Sequence, residues 1–105
     1  MQTRFENVVV EAKANIYFEG KVVSHTVIEK DGSKKTLGLI NPGTFLFNTG
    51  APEKMIITAG HTLVKLKDAS EWTAYDAGTE FSVPGNSSFE IKVESGIAEY
   101  ICLFQ

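Results

Sequence analysis

Two histidines, one cysteine and thirteen carboxylates are the side chains here with the plainest claim to chemistry, and their spacing excludes more than it permits. A metal needs three or four convergent imidazole, thiolate or carboxylate donors. His25 and His61 fall on different predicted strands and Cys102 stands alone, so both histidines read as exposed polar residues and no metal site is expected. A single cysteine forms no intrachain disulfide, and as a nucleophile Cys102 lacks a histidine placed by sequence to activate it. What remains is a set of rings and one carboxylate. Alternation in Thr44 to Thr49 puts Phe45, Phe47 and Thr49 on one face, and Tyr100 and Cys102 share a face of the last strand. Such rings either stack a ligand or fill a core.

The elements that must position these groups read as strands. Alternation of period two is broken by turn residues about every ten positions, the pattern of short antiparallel strands in a sandwich or barrel. In Ser88 to Glu94 it is complete, with Phe89, Ile91 and Val93 on one face and Ser88, Glu90, Lys92 and Glu94 on the other. Lys21 to Glu29 and Lys35 to Ile40 flank Asp31-Gly32, a dipeptide suited to a tight hairpin, and the charged tip Glu29 to Lys35 is expected to be exposed. Further strands follow at Lys54 to Thr58, His61 to Leu66, through Trp72 and Tyr75, around Phe81, and at Ile97 to Phe104, giving about nine in all. Glu6 to Ile16 is ambiguous: Val8-Val9-Val10 favours a strand, whereas Glu11-Ala12-Lys13-Ala14 suits a helical turn. Residues 1–14 are read as an N-terminal arm or edge strand.

Composition sets the outer limits. The 105 residues, 43% apolar and 22% charged, suit one globular domain spanning residues 1–105. The net charge is −3 and Arg4 is the one arginine, which argues against a nucleic-acid polymer as partner. No apolar run approaches a membrane span or a signal peptide, so no membrane partner and a cytoplasmic location are expected. An apolar terminal strand, Ile97 to Phe104, needs pairing or cover, and a homodimer is expected on that ground.

Two spacings narrow the fold. Glu53 and Gly60, six residues between them, resemble the second half of the first cupin motif, and Gly78 and Pro84, five between them, the start of the second. In this order, in an all-β chain, they point to a small cupin-like barrel of the RmlC-type jelly-roll class. The histidines of a cupin metal site are replaced around Phe45-Leu46-Phe47 and Ser87-Ser88-Phe89. From Asn15 to Phe104 the sequence resembles the small bacterial pyrimidine/purine nucleoside phosphorylases. The resemblance is carried by Tyr17-Phe18-Glu19-Gly20-Lys21-Val22, Phe47-Asn48-Thr49, Pro52-Glu53-Lys54-Met55, Gly60 to Leu66, Asp68-Ala69 with Trp72 and Tyr75, Ala77-Gly78 with Phe81, Val83 to Phe89, and Tyr100-Ile101-Cys102. It departs at Phe45, where the family carries a tyrosine, in the long charged hairpin, and in the extra N-terminal arm.

The resemblance implies phosphorolysis of purine and pyrimidine nucleosides to free base and ribose 1-phosphate, with inorganic phosphate as co-substrate and no cofactor. Such a site must favour an oxocarbenium-like sugar, contact ribose hydroxyls and hold phosphate. Glu53, where cupins aim a carboxylate inward, is the candidate catalytic residue; a solvated residue after Pro52 is the alternative. Phe45, Phe47, Thr49, Phe89 and Tyr100 are the candidate substrate contacts, and core packing is the other reading of the rings. Lys21 and Ser87 are the candidates for phosphate, with Gly85 leaving main-chain N–H groups open to an anion. Two other functions stay open: a metal-free cupin that binds a sugar or nucleotide without turnover, and a metal-dependent oxygenase or isomerase, against which the missing histidines argue.

Overall fold

The computed structural model describes residues 2–105, and within them the alternation becomes eleven antiparallel strands. In chain order these are β1 (Val9–Val10), β2 (Asn15–Tyr17), β3 (Val22–Ile28), β4 (Lys34–Ile40), β5 (Gly43–Asn48), β6 (Glu53–Ala59), β7 (His61–Leu66), β8 (Thr73–Asp76), β9 (Glu80–Val83), β10 (Ser88–Val93) and β11 (Ala98–Phe104). A seven-stranded sheet runs β1-β3-β4-β11-β6-β9, with β2 also on β3, and a four-stranded sheet runs β5-β10-β7-β8. After β4 the chain crosses between sheets at nearly every step, which is the winding of a jelly-roll barrel. The expected all-β cupin-like barrel is the observed fold.

The core lies between the sheets. Phe45, Phe89, Ile91 and Val93 enter it from the small sheet, and Val22, Ile40, Met55, Ile57, Tyr100 and Cys102 from the large one. Full burial of one such aliphatic or aromatic side chain is worth about 1.5 to 3 kcal/mol, which fixes the register of each strand. In β10, pairing Phe89 with Phe47 on one side and Leu66 on the other keeps the phenylalanine inside. A slip of one residue would drive Glu90 and Lys92 into the core instead. The β3–β4 hairpin turns at Asp31-Gly32 as expected: Gly32 has φ 87° and Ser33 N donates to Asp31 Oδ1 at 2.8 Å.

The ambiguous arm takes the edge-strand form, and three details differ from the sequence reading. The arm holds no helix; β1 and β2 share one edge of β3, and Glu11 to Ala14 bend away between them. These two short strands account for the excess over nine. Lys35, expected at an exposed hairpin tip, is only 8% exposed, because its ammonium pairs with Glu29 at 3.0 Å and sits over the Phe5 ring, 4.2 Å from its centroid. The terminal strand β11 is not an edge but is paired on both sides, by β4 and β6, so it needs no second chain to cover it.

Between β2 and β3 the backbone makes a left-handed turn. Phe18, Glu19 and Gly20 have φ of 52°, 58° and 91°. Asn7 and Asn86 are the other non-glycine residues at positive φ, and asparagine tolerates that region. A phenylalanine and a glutamate do not, and each such residue stores about 1 to 3 kcal/mol of strain that surrounding contacts must offset.

Candidate active site

One end of the barrel holds a cavity of about 140 Å³ between the sheets. The strand ladders set its floor row by row. Ser24, Gly38 and Tyr100 lie side by side across β3, β4 and β11; Thr36, Cys102 and Met55 form the next row; Phe104 faces Glu53 beyond it. Phe47 and Phe89 close the cavity from the small sheet, their rings stacked at 5.6 Å and 21°. Gly38 is required here for space, since a Cβ would stand 2.3 to 2.6 Å from the Tyr100 ring. The Tyr100 phenol lies across that glycine and is thereby turned along the wall.

Glu53 is the one carboxylate in the wall, and it is half-buried. Cys102 Sγ donates to its Oε1 at 3.4 Å, a diagonal contact between the neighbouring strands β6 and β11. Burial raises the Glu53 carboxyl above its ordinary value, and the thiol's hydrogen bond opposes this more weakly. Burial also pushes both the Tyr100 phenol and the Cys102 thiol up, with the Glu53 charge adding to the thiol's shift. Cys102 is therefore held as a thiol and serves as a donor rather than a nucleophile.

Of the eight residues singled out from sequence, the structure brings four to this wall: Glu53, Phe47, Phe89 and Tyr100. Phe45 shares their inward face but is packed in the core at 4% exposure, with its ring end 2.6 Å from where a Gly43 Cβ would be. Thr49 lies outside the wall, and its hydroxyl is engaged. It donates to Pro84 O at 2.7 Å and accepts from Ser87 N at 3.0 Å, tying the segment after β5 to the turn before β10. Gly85 packs against Gly50 O, 2.9 Å from a would-be Cβ, and the two N–H groups that follow it are engaged, Asn86 N donating to Gly50 O at 3.0 Å and Ser87 N to Thr49 Oγ1. Ser87, in the same turn, and the exposed Lys21, just after the left-handed turn, also lie outside the wall.

Tyr17, Ser24, Thr36 and Phe104 line the cavity without having been singled out as site residues. Their signal was alternation: Phe104 is two residues beyond Cys102 on the same strand, and Ser24 and Thr36 fall on the inward phase of β3 and β4. Tyr17 packs edge-on to Phe47 at 5.9 Å and Phe18 does so at 5.4 Å, so the left-handed turn caps the aromatic wall from outside.

The residues present do not fit a cupin-type metal. The wall offers Glu53 and the protonated Cys102, and among the described residues no three His, Cys, Asp or Glu side chains converge. His25 lies near Glu11 O at 3.2 Å, and His61 pairs with Asp76 on the small sheet. Also among the described residues, no helix is long and apolar enough to cross a membrane.

A jelly-roll barrel with an aromatic wall, one half-buried carboxyl and, among the described residues, no histidine cluster defines a small protein of cupin-like fold without the usual ligand set. The chain belongs to the pyrimidine/purine nucleoside phosphorylase family, whose sequence profile matches residues 12–104. It is 54% identical over 102 residues to the pyrimidine/purine nucleoside phosphorylase of Cupriavidus necator, covering 97% of this chain and 96% of that one. A crystal structure of an Acinetobacter sp. ADP1 protein of unknown function superposes with a TM-score of 0.94 at 42% identity, over 97% and 98% of the two chains. An RmlC-like cupin with a double-stranded β-helix fold from Methanocaldococcus jannaschii matches with a TM-score of 0.66 at 19% identity, over 90% and 89%. That last likeness bears on the fold alone.

Proposed function

We propose that this protein is a nucleoside phosphorylase that splits purine and pyrimidine nucleosides with inorganic phosphate into free base and ribose 1-phosphate. The observation that carries the reading is the Glu53 carboxyl set among the Phe47, Phe89 and Tyr100 rings in one cavity wall, in a chain whose relatives bear that name. A phosphate oxygen forms a bond to C1′ as the C1′–N bond breaks, and the bonding pair leaves with the base, which takes up a proton. Positive charge builds on the sugar during this exchange. Ionised Glu53 accepts hydrogen bonds from ribose hydroxyls and favours that charge electrostatically. The rings stack the base through its faces, which every purine and pyrimidine possesses, so specificity is broad.

The phosphate side falls to groups at the rim. Lys21 follows the Phe18–Gly20 turn and Ser87 precedes Ser88, the strand partner of the lining residue Asn48, and on that placement we assign them to the phosphate that attacks C1′. The reaction as written needs neither metal nor organic cofactor. We further propose that the protein works as a homodimer in the cytoplasm.

The test is a nucleoside panel assayed with and without phosphate, reading free base and ribose 1-phosphate together. Phosphate-dependent release of both products from purine and pyrimidine nucleosides is expected. Binding without turnover would mark a non-catalytic cupin, and base release without phosphate would mark a hydrolase.

A further inference from the structure

The cavity is too small for a nucleoside as it stands. Its volume of about 140 Å³ suits a single ring, whereas pockets for small organic ligands begin near about 300 Å³. One wall must yield to admit base and ribose together. The two sheets cannot do so without breaking their ladders, since β4, β11, β6, β10 and β7 are each paired on both sides. The turn Phe18 to Gly20, hinged where Tyr17 pairs with Val22, can. It joins β2 to β3, its start has no side-chain cap, and its backbone is left-handed through Phe18, Glu19 and Gly20. Rings hold it down: Phe18 lies 5.0 Å from Phe45 and 5.4 Å from Phe47, and Tyr17 lies 5.9 Å from Phe47.

We infer that the Phe18–Gly20 turn is a flap, hinged at the Tyr17–Val22 pair, that swings outward to admit the nucleoside and returns to close the base between the Phe18 ring and Phe47. The inference rests on the phosphorylase reading for the identity of its ligand. Phe18 is 42% exposed and Tyr17 44%, so each ring has free surface beside the cavity that a base can meet. The left-handed backbone at Phe18 and Glu19 is strained while the flap is shut, and opening releases that strain at the cost of the ring contacts. The two terms oppose, which is what a reversible closure requires. A bound base replaces the single Phe18–Phe47 contact with one on each of its own faces and so favours closure. Closure by rings rather than hydrogen bonds treats purines and pyrimidines alike.

The experiment titrates inosine and uridine calorimetrically without phosphate, and measures association by stopped flow, in wild type, Phe18→Ala and Glu19→Gly. Phe18→Ala is expected to lower the melting temperature, since the contacts with Phe45 and Phe47 are lost, and to weaken both nucleosides about tenfold and equally per folded molecule, as loss of one stacking ring predicts. Glu19→Gly removes the strain that drives opening, so it should raise the melting temperature and slow association of both nucleosides. Unchanged affinity in Phe18→Ala, or an unchanged association rate in Glu19→Gly, overturns the flap. Wild type that binds neither nucleoside would remove the phosphorylase reading and the flap with it, a result visible in the first titration alone.

Discussion

The Cys102 thiol donates to Glu53 Oε1 across 3.4 Å, from one strand to the next, so the only carboxyl in the cavity wall has one oxygen engaged and the other free for a ligand. The thiol can donate because burial keeps it protonated. The same burial raises the Glu53 carboxyl and the Tyr100 phenol.

Glu53→Gln should separate two effects. If the carboxylate form favours the cationic sugar, kcat falls about 10²-fold, or ~2 to 4 kcal/mol, while the fold is kept. The wild-type rate should rise with pH through an apparent pKa above that of an ordinary glutamate, and this acidic limb should vanish in the variant. Full phosphorolysis by folded Glu53→Gln would remove Glu53 from the mechanism.

The same raised pKa makes a stability prediction. Below the ordinary glutamate value of 4.5 the carboxyl is protonated in both folded and unfolded chains. As pH rises the unfolded chain ionises first, so stability is lost until the folded pKa is passed. Glu53→Gln cannot lose a proton and should gain stability relative to wild type across that window. Melting curves of the two proteins from acid to neutral pH check this, and a difference that does not change with pH would contradict it.

Gly38→Ala tests the wall itself. Its Cβ would enter the Tyr100 ring at 2.3 Å, so the ring must move. The expected cost is about 1 to 3 kcal/mol of overpacking, with a raised KM for nucleoside. In a Tyr100→Ala background the same substitution should cost little, and a double-mutant cycle reads the coupling. A full cost in both backgrounds would place the clash elsewhere.

Thr49→Val keeps the shape of Thr49 and removes the hydroxyl that joins Pro84 O to Ser87 N. Leaving both partners without it should cost about 1 to 3 kcal/mol of stability. Because Thr49 lies outside the wall, kcat/KM per folded molecule should hold, and a kinetic loss without a stability loss would make Thr49 a ligand group instead.

Local pattern made much of the barrel legible. Ser88 to Val93 alternates so cleanly that strand, face and register follow from it, and Asp31-Gly32 marks its hairpin without ambiguity. The inward set Phe47, Phe89, Tyr100 and Cys102 is legible for the same reason. What alternation cannot carry is which distant segments meet. Thr49 is bound to residues 35 and 38 positions away, and Lys35 is covered by Phe5 of the N-terminal arm, so neither environment is written in neighbouring residues. The central place of β11 has the same cause, being a matter of winding. Strain at Phe18 was hidden because phenylalanine carries no turn signal of its own.

Self-association is the last expectation, and its reason has moved. With β11 paired on both sides, the edge of the terminal strand no longer asks for a partner. The outer face of the large sheet does. Leu37 and Leu39 on β4 stand 37% and 43% exposed there, beside a groove walled by Phe5 and Ile101 that the N-terminal arm only partly fills. A stable interface hides about 1,200 to 2,000 Å² in all and is apolar at its centre, and Leu37 and Leu39 would form that centre against a second copy. Leu39→Glu puts a charge at that centre without touching the cavity. Light scattering at micromolar concentration should give a dimer for wild type and a monomer for Leu39→Glu. A wild-type monomer would end the proposal, and a dimer that survives Leu39→Glu would move its interface off this face.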